Sequence, residues 1–244
     1  MNLSLVHTAS IEVESIDQHI LNSRENRRAT PLMVAAKTIV SSAINSLKDK
    51  IDHIEDELAV VAGTTHGELS QTLSFFKKFK EKGIYSPTIF QNSLHNSVLG
   101  LVSTEFNLGG IGMTISHGIL SGEKCLEASA DLIAAGRCNI VMAICFDCIP
   151  RELESCFSNF SGSDPSRPTV SLAIFALPEF ATQNGLEVQK MGVFSVEYNE
   201  ENKISMTTRI DSSALLDFIK TVDSGNSFPY EREIEGRCYS RIYF

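Results

Sequence analysis

His117 and Ser121, four residues apart in TISHGILSG (residues 114–122), are the first pair whose types and spacing could do chemistry. A strand running into a glycine turn and then a helix presents a nucleophile, and a serine with a histidine base would perform acyl transfer. The residue at the point where such a nucleophile would sit is Ile119, which has no chemistry to offer. The hydrolase elbow reads G-x-S-x-G, whereas here Gly122 follows the serine directly. Ser121 is therefore expected to be the helix N-cap, its hydroxyl satisfying free backbone N–H groups. Cys125 is the nearest thiol.

Other candidates are weaker. GTTHGE (63–68) places Thr65, His66 and Glu68 after a strand, where they could line a cleft, but a turn and helix start with a favourable acid in the first turn accounts for them. Cys145 and Cys148 form a single C-x-x-C that ends an apolar strand and has no second pair, so packing is expected and no metal site. The glycines of NLGGIGMT precede a strand, whereas the dinucleotide fingerprint follows one and opens a helix. No cofactor is implied.

The elements that must position these residues alternate. Residues 3–14 read as a strand; 27–50 as a helix with Thr30 as cap and Pro31 at its first position; 57–64 as a strand buried on both faces. A helix stopped by Gly83 follows, then one running from Pro87 until NLGGIG breaks it, the strand MTIS, a helix stopped near Gly136, and the strand 138–147. SNFSGSDPSRP (158–168) is the strongest linker signal. Beyond it, 169–179 and 191–200 are expected to be antiparallel neighbours, then a short helix at 211–220 and an irregular tail, GRCYSRIYF. The fold class is α/β, a mixed β-sheet sandwiched by helices. After residue 201 a second complete α/β half does not fit.

A net charge of −9 repels polyanions, which argues against nucleic acid. The apolar runs fall short of the roughly 20 residues that cross a bilayer, and the first residues lack a secretory pattern. A cytoplasmic protein is expected, its six cysteines reduced.

The connected series from NSLHNSVLGLVSTEF through NLGGIG, MTIS, SG and IAAG resembles the N-terminal half of the β-ketoacyl synthases, condensing enzymes of the thiolase fold. The matches are Asn92, Ser93 and Asn96; Leu108 and Gly110; Thr114 to Ser116; Ser121 and Gly122; and Gly136. The resemblance covers about residues 1–200 as a thiolase-like half-domain, with 201–244 a short C-terminal extension in place of a full second half. It puts Ile119 at the position of the condensing cysteine, and the C-terminal histidine pair of the family is not found here.

Such a chain is similar to the chain-length factors, non-catalytic subunits that pair with a catalytic ketosynthase, and most to the short factor-like partners of aryl polyene pathways. Classical factors carry glutamine where Ile119 stands. By carry-over, Met113, Thr114, Ile115 and Ser116 would pair across the dimer axis, and Ile89 and Phe90 would reach the partner's acyl tunnel and limit its length. Acyl carrier protein would contact the complex. Two alternatives stay open: a divergent acyltransferase or thioesterase using Ser121, Cys125 or His117, and an acyl-binding homodimer.

Overall fold

The computed structural model describes residues 2–118, 120–153, 168–198, 214–225, 230–234 and 237–244. Six strands form one mixed sheet: β1 (Asn2–Glu12), β2 (Leu58–Gly63), β3 (Gly112–Ile115), β4 (Ile140–Phe146), β5 (Thr169–Ala176) and β6 (Lys190–Val193), in the order β3-β2-β4-β5-β1-β6. Every residue of β2 and β4 is buried, so the centre of the sheet is covered on both faces, as its unbroken apolar runs require. β2 runs parallel to β3 and β4, while β4, β5, β1 and β6 are successively antiparallel.

The covering helices are α1 (Gln18–Leu21), α2 (Pro31–Lys48), α3 (Ile54–Glu57), α4 (Leu69–Lys82), α5 (Pro87–Asn92), α6 (Ser97–Glu105), α7 (Ser121–Ala134), α8 (Pro178–Gln183) and α9 (Ala214–Asp223). Alternation within each strand sorts the core into two layers. Val60, Met142 and Leu172 point to the side of α2 and α6. Val61, Val141 and Phe175 point to the side of α7 and α9. A small antiparallel sheet, β7 (Ser195–Tyr198), β8 (Tyr230–Ile234) and β9 (Arg237–Tyr243), has β9 in its middle. Among the described residues no helix is long and apolar enough to cross a membrane, and no group of three or more His, Cys, Asp or Glu side chains could hold a metal.

Several local signals act as expected. Thr30 caps α2, its hydroxyl accepting from the Met33 N–H at 3.1 Å, with Pro31 at the first helical position. Gly83 ends α4 at φ 63° and Gly136 follows α7 at φ 64°, in the left-handed region where glycine alone is unstrained.

Four expectations need correction. The helix after Pro87 is two helices, broken at 93–96, where the Ser93 hydroxyl donates to the Phe90 carbonyl at 2.7 Å and Asn92 Nδ2 donates to the Arg28 carbonyl at 2.9 Å. These short polar side chains compete with the helical ladder. Strands 169–179 and 191–200 are not neighbours: β1 lies between them and pairs with both. Leu3, Leu5 and Val6 are buried in β1, whereas Met191 and Val193 of β6 are exposed, so β6 takes the edge. The stretch 191–200 also divides at Phe194 between the two sheets. Finally, the tail is not irregular, because residues 237–243 form β9. The linker signal at 158–167 lies outside the described residues.

Candidate functional site

Ser121 is the first residue of α7 rather than its cap; Leu120 holds that position without a side-chain bond. The Ser121 hydroxyl donates to the Gly118 carbonyl at 2.6 Å and accepts from the backbone N–H of His117 at 2.9 Å. It closes the turn on itself, and its contact with His117 is through the main chain, not the imidazole. Ile119 lies outside the described residues. Gly118 takes φ 56°, which a side chain rarely adopts.

A polar network fixes this turn to the loop after β2. The buried Asp147 carboxylate accepts from the Thr64 hydroxyl at 2.8 Å, the Thr65 N–H at 3.0 Å and the His66 N–H at 2.7 Å. The Thr65 hydroxyl then donates to the Gly118 carbonyl at 2.8 Å. Below it, Cys125 is fully buried, with Sγ 3.2 Å from the Val61 carbonyl. A Cβ at Gly63 would lie 2.7 Å from Cys125 Cβ, 2.9 Å from Cys145 Sγ and 2.9 Å from the Ser121 carbonyl, so only glycine lets α7 seat against the end of β2. Gly63→Ala is expected to cost about 1–3 kcal/mol, read as a lowered midpoint in urea; an unchanged midpoint would mean that α7 can slide away freely.

None of these roles for Asp147, Gly63 and Thr64 was legible in the sequence, because each depends on β2, β4 and α7 meeting in space. The same holds for Glu123, fully buried in the first turn of α7, which accepts a 2.9 Å hydrogen bond from the Ser240 hydroxyl of β9.

Glu68 departs from the charged first-turn acid expected of it. It stands at the cap of α4, is 1% exposed, and accepts a hydrogen bond from the Thr30 hydroxyl, with a longer one from Ser70 at 3.4 Å. Burial pushes its carboxyl up to about 7, outweighing both hydroxyl donors. Burial and the nearby Glu68 raise the Cys148 thiol to about 11, and burial with the adjoining Cys125 raises that of Cys145. Neither half of the C-x-x-C is poised as a thiolate at neutral pH.

The remaining candidate positions lie on or beside β3, on α5, at the cap of α6 and at the start of α7. Met113, Thr114 and Ile115 lie on the edge strand β3, whose outer side has no strand partner among the described residues, and Ser116 follows it, exposed. A side chain at Gly110 would collide with the Leu58 carbonyl, which explains that glycine. Asn96 caps α6 without a side-chain bond, and Gly122 is buried in the first turn of α7. Ile89 is half-buried on α5, and Phe90 is 52% exposed. Phe90 meets Phe75 in a tilted contact at 5.6 Å between centroids, and Phe79 meets Tyr85 likewise at 4.6 Å. With Phe76 at 60% and Tyr85 at 67% exposure, α4, α5 and the segment between them present an aromatic patch that no other described residue covers.

The model of the β-ketoacyl synthase N-terminal domain matches residues 5–233. The chain belongs to the β-ketoacyl synthase family. Its fold is found in solved relatives of that family at low identity. A ketosynthase (ApeO) in complex with its chain length factor (ApeC) from Xenorhabdus doucetiae matches with TM-score 0.64 and 15% identity, over 100% of each chain. A type II acyl-carrier protein in complex with its ketosynthase (AntDE:AntF) gives TM-score 0.65 and 12% identity, over 81% of this chain and 69% of the other. A β-ketoacyl synthase from Burkholderia phymatum gives TM-score 0.59 and 13% identity over 77% of this chain. This ketosynthase-family chain spans about half of that synthase, 52% of its length. No curated protein matches it in sequence.

Proposed function

We propose that this chain is a non-catalytic, chain-length-factor subunit that pairs in the cytoplasm with a catalytic β-ketoacyl-acyl carrier protein synthase and shapes its acyl tunnel, in aryl polyene-type or related biosynthesis. The observation that carries the reading is the exposed aromatic patch formed by α4, α5 and Tyr85 between them, in a chain whose edge strand β3 has no outer strand partner among the described residues. An apolar surface of this kind on a soluble fold marks an interface, and an edge strand supplies main-chain hydrogen bonds to it. The full-length likeness to a chain from a ketosynthase complex with its chain length factor supports the same assignment.

In this reading Met113 to Ser116 pair with the partner's matching strand, and Ile89 and Phe90 close the far end of its tunnel. Ile119 occupies the nucleophile position without reacting. The turn is kept because it holds the interface strand in place, Ser121 being engaged by the main chain and Cys125 sealed in the core. No cofactor is required. Acyl carrier protein meets the assembled pair, as one does in the AntDE:AntF structure.

Co-expression of a tagged chain with its cognate ketosynthase, followed by light scattering, is expected to yield a one-to-one heterodimer. A soluble homodimer that ignores the ketosynthase, or thioester hydrolysis by the chain alone, would overturn the reading. Within the heterodimer, Phe90→Ala is expected to lengthen the products by at least one two-carbon unit in mass spectra, without loss of assembly. Unchanged product length would remove Phe90 from the tunnel.

A further inference from the structure

The C-terminal half of α4 carries four lysines and one glutamate within residues 77–82, in a chain whose net charge is −9. All of these side chains are exposed. Lys77 pairs with Glu152 at 3.1 Å, but Lys78, Lys80 and Lys82 have no acidic partner among the described residues. Helical spacing puts Lys80 one turn beyond Phe76 on the apolar side and Lys82 one turn beyond Lys78 on the opposite side. The aromatic patch is thus flanked by lysines that form no ion pair among the described residues.

The helix itself has no buried residue. A 14-residue helix is marginal in water unless an apolar face is packed, so α4 is a surface built to be covered. An apolar centre within a charged rim is the anatomy of a protein interface, and complementary rim charge accelerates encounter and selects the partner. The rest of the chain, being acidic, repels an acidic partner, and these lysines reverse that repulsion where docking occurs.

We infer that Lys78, Lys80 and Lys82 select and steer the ketosynthase partner by meeting a cluster of its Asp and Glu side chains at the rim of the heterodimer interface. This rests on the subunit reading above, and it adds the chemistry of the partner's surface: an apolar centre bordered by carboxylates opposite α4.

The test is competition inside cells. Wild-type chain and the K78E/K80E/K82E variant, carrying tags of different mass, are co-expressed with a limiting amount of the cognate ketosynthase, and the two are counted in the purified heterodimers. Wild type is expected to exceed the variant by about tenfold or more, with K78Q/K80Q/K82Q between them. Each variant is also expressed singly with the ketosynthase, where an unchanged heterodimer melting profile shows that α4 still folds. Equal incorporation of wild type and the charge-reversed chain overturns the inference and leaves the subunit reading intact. Absence of any heterodimer with wild type overturns that reading instead. Equal incorporation with a loss of product made from acyl carrier protein, or of binding to anionic lipid vesicles, would assign the lysines to that other occupant and overturn the inference as well.

Discussion

Glu68→Gln is expected to flatten the pH dependence of stability and to make the protein more stable above pH 7. In the folded chain the carboxyl is raised to about 7 from an ordinary 4.5, so the native state holds a proton that the unfolded chain has released. The stabilisation is complete below pH 4.5, is lost as the pH rises towards 7, and stays lost above it. Because the group is only 1% exposed, solvent screening takes little away, and the displacement corresponds to about 3 kcal/mol. Glutamine keeps an acceptor for the Thr30 hydroxyl and cannot ionise. Urea unfolding at pH 5 and pH 8 reads the effect directly: the wild type should lose stability between the two, and the variant should not. A wild-type curve that rises with pH across this window would show that Glu68 is ionised and paired in the native protein.

Phe218→Ala is expected to cost more, about 3–5 kcal/mol, which for a chain of this length lowers Tm by about 10 °C. Phe218 is fully buried in α9 and meets Phe175 at 5.9 Å, Phe194 at 6.2 Å and Phe244 at 5.8 Å between centroids. Phe175 comes from β5 of the main sheet, so removing the ring opens a cavity between the sheet and the elements after residue 213. Phe76→Ala is the control, since that ring is mostly solvent-facing and its loss should leave Tm nearly unchanged. A small effect at Phe218 would mean that α9 docks loosely and contributes little to the core. The contrast separates two aromatic clusters of similar composition: one is buried and holds the fold together, and the other is exposed.

The sequence by itself determined the elements whose signals are local. Thr30 before Pro31 starts α2, Gly83 and Gly136 stop α4 and α7, and the apolar runs of β2 and β4 announce strands buried on both faces. Those signals work because capping, left-handed backbone and periodicity act over a few neighbouring residues. The series from Asn92 to Gly136 also carried the family, which the match over residues 5–233 bears out.

What only the tertiary structure decided was long-range. Strand order is one such property: β1 lies between β5 and β6 because Leu3, Leu5 and Val6 need cover, and nothing near residues 2–12 states which strands of the later part of the chain supply it. The final strand is another, since β9 owes its conformation to pairing with β7 and β8 rather than to its own alternation. The turn at 117–121 shows both sides. Its glycine and serine are visible in the sequence, yet its rigidity comes from Asp147, Thr64 and Thr65, gathered from the ends of two strands. Glu68 is the clearest case: its position at a helix start suggests a solvated anion, and only the packing around Thr30 removes the water that would keep it charged.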